Sequence, residues 1–214
     1  NELIAGYAYE CKADKIVVCL SDPKVNFRKQ LEPTYKGNRK DVVKPVLLDW
    51  IKEYLAAEYQ SFMRPRLEAD DVMGILATSG DRFIEGRKII VSEDKDMRTI
   101  PAWVYNPNKA DLGILKISKH QAKLFHLWQT LTGDQTDGYP GCKGIGPASP
   151  YAEDIISAAR PLTAWDTVIE AYATKGKTED DAIHQARLAR ILWADDYNFK
   201  TKGIRLWNPT CLLW

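Results

Sequence analysis

Two short apolar runs that end in acid constrain the fold of this chain more than any other feature. Residues 15–20 (KIVVCL) are apolar and rich in β-branched side chains, which reads as a buried strand, and they stop at the turn signal Ser21-Asp22-Pro23. Residues 88–92 (KIIVS) form a second such run, followed at once by Glu93, Asp94 and Asp96. Open α/β sheets place their functional sites beyond the carboxyl ends of the strands. Acids at those ends are therefore the first candidates for chemistry.

Helical patterns separate and follow these runs. Residues 42–59 carry apolar side chains at Val46, Leu47, Trp50, Ile51, Tyr54 and Leu55, which is helical spacing. Residues 67–78 read as a second helix, stopped near Gly80. Ser118 can cap a helix running to about residue 131, with Leu124, Phe125, Leu127, Trp128 and Leu131 apolar. A loop rich in Gly and Asp spans 133–149, and helices are expected at about 150–159, 163–173 and 178–194. Thr178 with Asp181 resembles a capping box with Asp in place of the usual Glu. Residues 204–207 suggest a last strand. Strands alternate with helices up to residue 130 and helices dominate after it. The predicted fold is α/β, a mainly parallel sheet flanked by helices over 1–130, followed by a helical region over 131–214.

Composition narrows the function classes. The 214 residues are 45% hydrophobic, enough for a sizeable core, and no apolar run approaches the roughly 18 residues of a membrane span. The start NELIAGYAYECKADK lacks the charged head and apolar stretch of a signal peptide, so a cytoplasmic protein with no membrane partner is expected. Cys11, Cys19, Cys142 and Cys211 form no C-x-x-C pair, and His120, His126 and His184 lack metal-site spacing, so neither zinc nor a disulfide framework is expected. The net charge is +1, yet Lys24, Arg28, Lys29, Lys36, Arg39, Lys40 and Lys44 face only Glu32 and Asp41 between residues 24 and 44. A basic segment of this kind is either a solvated loop or a surface that steers a polyanion.

Eight carboxylates sit in four short groups: Asp22; Glu68, Asp70 and Asp71 in E-A-D-D; Asp94 and Asp96; Asp134 and Asp137 in G-D-Q-T-D-G. Any one alone has an ordinary reading, as E-A-D-D could simply favour a helix N-terminus. Brought together, they would need cations to relieve their mutual repulsion. Oxygen-only donors select Mg²⁺ or Mn²⁺ over zinc. Two such ions about 4 Å apart can clamp the attacking water and the leaving oxygen of a phosphoester.

At these residues the chain resembles the 5′ nuclease superfamily of flap endonucleases and polymerase-associated 5′–3′ exonucleases, with a PIN-like core. The resemblance rests on DPKVNFRKQLEPTYKGNR from Asp22, EADD from Glu68, SEDKD from Ser92 and GDQTDGYPGCKGIG from Gly133. The tail ARILWADDYNF with IRLW is most similar to the T7-type phage exonucleases. The resemblance implies a Mg²⁺-dependent enzyme that cuts duplex DNA from a 5′ end or flap, with RNA–DNA hybrid as a further substrate, acting as a monomer. It implies that Asp22, Glu68 and Asp70, with Asp71 close by, form a first metal site. Asp94, Asp96 and Asp134 then form a second, with Asp137 as an outer ligand and Asp70 between the ions. Tyr35 and Lys36 match the base of an arch, over about 24–65, through which a single-stranded 5′ end passes. Lys36 would stabilise the scissile phosphate, Tyr35 would stack on a base, and Arg39, Lys24 and Arg28 would contact phosphates. GYPGCKGIGP resembles the hairpin of a helix–hairpin–helix, so Gly141, Lys143, Gly144 and Gly146 are expected to grip duplex DNA, with K⁺ at the hairpin carbonyls. Two departures stand out. Nothing before Lys15 matches the family's first strand with its terminal Asp, so the chain is expected to begin inside the fold. PASPYAED also replaces the usual basic helix start after Gly146.

Two other readings remain open on sequence: a junction-binding protein that no longer cuts, and a Mg²⁺-dependent phosphatase of small molecules. Intact acid clusters argue against the first, and the hairpin signature argues against the second.

Overall fold

The structure, a computed structural model, describes residues 2–39 and 42–213, so Lys40 and Asp41 of the basic segment lie outside the described residues. After an N-terminal helix α1 (Glu2–Glu10), strand β1 (Val17–Leu20) leads through the short helix α2 (Arg28–Leu31) to α3 (Leu48–Glu58), β2 (Gln60–Met63) and α4 (Ala69–Thr78). Strands β3 (Ile89–Val91), β4 (Trp103–Tyr105) and β5 (Ile114–Lys116) follow. The second half holds α5 (Lys119–Thr132), α6 (Pro150–Ser157), α7 (Pro161–Ala173) and α8 (Glu179–Ala189), then a hairpin of β6 (Tyr197–Asn198) and β7 (Gly203–Ile204). No helix among the described residues is long and apolar enough to cross a membrane.

β1 pairs with β2 in parallel, from Val17↔Gln60 to Leu20↔Met63, and β3 pairs with β4 in parallel. β5 is antiparallel to β4 and β7 to β6, so among the described residues two strand pairings are parallel and two antiparallel. The turns beyond β1 and β2 are tied together: Asp22 N–H donates to the Leu67 carbonyl at 2.9 Å and Phe27 N–H to that of Arg66 at 3.0 Å. That tie brings the acid after β1 alongside the start of α4. A core of Phe27, Leu67, Val72, Ile75, Leu76, Leu192 and Tyr197 lies beneath it. Gly74 lets α4 approach the 189–192 segment closely, since a Cβ there would lie 2.4 Å from the Leu192 carbonyl oxygen. The helical half is built around a separate cluster that includes Leu127, Leu131, Ile155, Trp165, Val168 and Ala186. Full burial of each large side chain contributes about 1.5–3 kcal/mol.

Several elements differ from expectation. The helix expected to 194 stops at Ala189, because the carbonyls of Leu188 and Arg190 accept from Arg28 and Leu192 N–H donates to Asp71. Side-chain partners thus replace the helical ladder. α1, β2, β4 and β5 were not anticipated. α3 forms within the expected segment, but its apolar stripe is not core: it has no buried residue, and Val46, just before it, is 97% exposed. Capping at Ser118 and at Thr178 is as expected, with Gln121 and Asp181 completing the two boxes.

Candidate metal and nucleic-acid site

Backbone geometry at the base of the arch segment sets the site. Lys36 is held at φ +55°, a left-handed conformation that a lysine rarely adopts. Its N–H donates to the Asp137 carbonyl at 2.8 Å, and the turn is closed by Gly37 N–H to the Thr34 carbonyl at 2.8 Å. The side chain is thereby turned into the acid cluster, with Nζ 2.5 Å from Glu68 Oε1 and 3.4 Å from Asp137 Oδ2. Beside it, the Tyr35 hydroxyl donates to Asp137 Oδ2 at 2.9 Å and lies 3.2 Å from Glu68 Oε2. Three sequence-distant pieces therefore meet: the YK turn, the start of α4, and the loop after α5.

The third acid group joins through other contacts. Asp94 Oδ1 accepts the Asp96 N–H at 2.8 Å, which shapes the turn after β3. Asp96 Oδ1 accepts from Gln129 Nε2 at 2.6 Å, and Lys95 bonds to both Asp96 and Asp134. Asp134 Oδ1 accepts the N–H groups of Thr136 at 2.7 Å and Asp137 at 3.2 Å.

Asp70 stands apart within this cluster. Among the described residues its carboxylate has no hydrogen-bond donor and no ion-pair partner, although it is partly buried. Burial first, then Glu68, Asp71 and Asp94, push its carboxyl up to about 7, with Lys36 opposing. Asp96 is pushed up to about 6 by burial and by Asp94, against Lys95. Glu68 is desolvated too, yet Arg28 and Lys36 hold it below the usual carboxylate range. Charge is thus crowded where it is least compensated, which a hard divalent cation would relieve. No three acidic, histidine or cysteine side chains among the described residues are already gathered about one point, and Lys36 and Lys95 take oxygens of Glu68, Asp96 and Asp134. The donor set of Glu68, Asp70, Asp94, Asp96 and Asp134 nevertheless suits an oxygen-coordinated ion.

Three residues expected in direct roles are placed otherwise, and a fourth, Asp22, has three backbone donors. Asp71 is 0% exposed, and both its oxygens are taken: Oδ1 by Arg28 and Leu192 N–H, Oδ2 by Arg28 and Glu68 N–H. Four donors leave it no lone pair for a metal, so it anchors α4. Arg28, expected on the DNA track, is 2% exposed and donates to Asp71, Glu68 and the carbonyls of Leu188 and Arg190, a buried strut rather than a phosphate contact. Tyr35 is likewise buried, so its ring has no face free to stack on a base. Asp22 uses Oδ1 for the N–H groups of Lys24 and Val25 and Oδ2 for that of Arg66 at 2.7 Å, organising the turn beneath Glu68.

The hairpin expectation divides similarly. Gly141 has φ +60°, and a Cβ there would lie 2.3 Å from the Gly133 nitrogen, so glycine is required by close packing. Its N–H donates to Gln185 Oε1 at 2.9 Å and is not available to a phosphate. Lys143, Gly144 and Gly146 are exposed. Ser149 then caps α6, accepting from Ala152 N–H at 3.2 Å. Lys24 is exposed, and Arg39 is half-exposed while bridging to Asp137 at 2.8 Å. The sequence reading passed over Lys95, Gln129, Lys175 and Lys177. Lys175 Nζ lies 3.9 Å from the Cβ position of Gly144, and both Lys175 and Lys177 are exposed beside the hairpin. The lysine between two acids in EDKD was the signal for Lys95. Nothing local marked the others.

Comparison with known proteins fits this geometry. Residues 2–112 match the family model described as 5′-3′ exonuclease, N-terminal resolvase-like domain. The exonuclease of Escherichia phage T7 is 36% identical, the match covering 91% of this chain and 74% of that protein. The exodeoxyribonuclease of Enterobacteria phage T3 is 35% identical over 91% of this chain and 73% of its own length. Among solved structures, the flap endonuclease of bacteriophage T5 in complex with DNA and metal ions superposes with a TM-score of 0.64 at 16% identity, covering 88% of this chain and 78% of that one, a likeness of fold. The chain belongs to the 5′–3′ exonuclease family.

Proposed function

We propose that this chain is a divalent-metal-dependent 5′–3′ nuclease that hydrolyses phosphodiesters of duplex DNA from a 5′ end or at a 5′ flap. The observation that supports it most is the partly buried Asp70 carboxylate, without a partner among the described residues, amid Glu68, Asp71 and Asp94, with Lys36 turned toward the same point. Glu68, Asp70, Asp94, Asp96 and Asp134 would hold two Mg²⁺ or Mn²⁺ ions. When bound, such ions supply an activated water and neutralise the leaving oxygen.

The chain's own residues do the rest. Lys36 offers a fixed positive charge where the phosphate becomes more anionic, which is preorganised electrostatic stabilisation. Asp137, Tyr35 and Arg28 orient Lys36 and Glu68 without touching the substrate. Arg39 contacts a neighbouring phosphate. The exposed amides of Gly144 and Gly146, with Lys143, Lys175 and Lys177, hold the duplex backbone, as hairpin N–H groups and cations do for phosphates. Hairpin carbonyls would take K⁺, RNA–DNA hybrid is a second substrate, and the enzyme acts as a monomer in the cytoplasm of a bacterial host.

The test is a 5′-flap duplex and a blunt duplex, each labelled separately at the 5′ and 3′ ends of the cut strand. Cleavage is expected only with added Mg²⁺ or Mn²⁺, with label leaving first from the 5′ end. Equal cleavage in excess EDTA, or release from the 3′ end first, contradicts the proposal.

A further inference from the structure

Lys95 lies between the two aspartates of EDKD, on the short turn after β3. Its ammonium is 3.3 Å from Asp96 Oδ1 and bonds to Asp134 Oδ2. The surroundings explain why those two atoms are taken. Gln129 Nε2 already holds Asp96 Oδ1 from α5 at 2.6 Å. Backbone N–H groups of Thr136 and Asp137 hold Asp134 Oδ1, leaving Oδ2 as the atom facing the cluster. Asp94 Oδ1 is occupied by the Asp96 N–H. Lys95 therefore sits on the Asp134 oxygen that the backbone donors leave open and bridges it to Asp96.

The lysine is also free to leave. Its side chain is 55% exposed and no aromatic ring among the described residues holds it, in contrast to Lys36, which is 15% exposed and lies 5.2 Å from the Tyr35 ring. An ammonium on a flexible stem is a strongly hydrated point charge that gives up one partner for another readily. A divalent ion at Asp96 and Asp134 would need the same Asp134 oxygen that the Lys95 ammonium already takes, and two like charges on neighbouring positions repel even at the protein surface.

We propose that Lys95 is a tethered counterion of the Asp96–Asp134 pair, which competes with the second divalent ion and so sets the metal concentration at which the enzyme becomes active. This rests on the reading of Asp96 and Asp134 as metal ligands. The tethered charge neutralises the pair when metal is scarce, and it moves toward solvent or the DNA backbone when the ion enters. The enzyme gains a threshold in metal concentration at the expense of affinity.

The test is Mn²⁺ binding to the DNA-free protein, by electron paramagnetic resonance of free Mn²⁺ or by calorimetry, for the unmutated chain, Lys95→Met and Lys95→Arg. Circular dichroism and thermal unfolding without metal check that each variant is folded. Lys95→Met should bind the weaker of two ions at least about fivefold more tightly, and its Mn²⁺ half-saturation for cleavage should fall in parallel. Lys95→Arg, which keeps the charge, should stay within about twofold of the unmutated protein. Unchanged or weaker Mn²⁺ binding by a folded Lys95→Met overturns the counterion proposal while leaving the metal site intact. Absence of Mn²⁺ binding to the unmutated chain overturns the metal-site reading itself, and the counterion proposal with it.

Discussion

Replacing Arg28 by Met should destabilise the protein by about 3–5 kcal/mol, the range for breaking a buried ion pair by removing one partner. The guanidinium makes five contacts: Nη1 and Nη2 to Asp71 at 2.8 Å each, Nη1 to Glu68 at 3.1 Å, Nε to the Leu188 carbonyl at 3.0 Å, and Nη2 to the Arg190 carbonyl. Methionine roughly fills the space but donates nothing. Asp71, 0% exposed, keeps only the N–H groups of Glu68 and Leu192, so its charge is buried and undercompensated. Two carbonyls also lose a donor, at about 1–3 kcal/mol for each that water cannot reach. These costs overlap because they share one side chain, and simple addition would overstate them. In a chain of this size 1 kcal/mol shifts Tm by about 2–4 °C, so a fall of roughly 6–20 °C is expected. Urea unfolding followed by circular dichroism at pH 7.5 measures the loss directly. The double variant Arg28→Met with Asp71→Asn removes the stranded charge and should be more stable than the sum of the two single losses predicts, by about 1 kcal/mol or more. A loss below about 1 kcal/mol for Arg28→Met, which is what an exposed pair is worth, would refute the buried-strut assignment. So would strict additivity in the double variant.

Three further expectations follow from the same geometry. Lys36→Ala should lower the single-turnover cleavage rate by about 10²-fold or more while changing DNA affinity far less, as for loss of one oxyanion donor. A rate within threefold of the unmutated enzyme would count against its role. The His126 imidazole, driven down to about 3 by burial with help from Arg190, is neutral in the folded protein and would charge on unfolding below its ordinary value of 6.5. Its contribution is therefore flat above pH 6.5, and stability is lost as pH falls from there toward 3, by roughly 3 kcal/mol at pH 4. Asp70 and Asp96, whose carboxyls are raised by burial and neighbouring acids, act in the opposite direction over part of this range. The decisive quantity is thus the unmutated protein minus His126→Asn, and a difference independent of pH between 7 and 4.5 would contradict the argument. Finally, replacing Lys143, Lys175 and Lys177 together by Ala should flatten the slope of log K against log salt by about 2–3 for duplex DNA, at about 0.9 per phosphate contact. An unaltered slope would mean the duplex runs elsewhere.

The sequence disclosed elements whose signal is local. The apolar runs at 15–20 and 88–92 announced β1 and β3, and the cap at Ser118 and the box at Thr178 marked the starts of two helices. β4 and β5, three residues each, are too short to show a period, and β2 (QSFM) begins with polar residues. α1 escaped because it buries no residue and so carries no clean apolar face. The acid groups were legible because costly charge was concentrated at strand ends and a helix start. Their division of labour was not. Asp70 and Asp71 are neighbours of one type, yet the helix sends one among the other acids and the other into an Arg28 fork contributed from 43 positions away. Arg28 and Tyr35 were misjudged for the same reason: a basic or aromatic residue in a charged segment reads as exposed unless its partners across the fold are known. The Arg28 carbonyl partners at 188 and 190 also account for the early end of α8, which no helical period could foretell.

The central claim is that Asp70 serves metal and Asp71 serves the fold, and the two asparagine variants separate them. Asp70 has no donor to lose among the described residues, so Asp70→Asn should fold as stably as the unmutated chain in the absence of metal, bind a 5′-flap duplex within about threefold, and cleave at least ~10²-fold more slowly in Mg²⁺, the several kcal/mol expected of a metal ligand. Asp71→Asn keeps the metal-facing acids and should chiefly lose stability, because its amide cannot accept from both arms of the Arg28 fork. The measurement is single-turnover cleavage set beside equilibrium binding and urea unfolding for both variants. Near-background cleavage with intact binding and folding for Asp70→Asn is the predicted result. Normal cleavage by Asp70→Asn, or a parallel loss of its binding and cutting, would contradict the account.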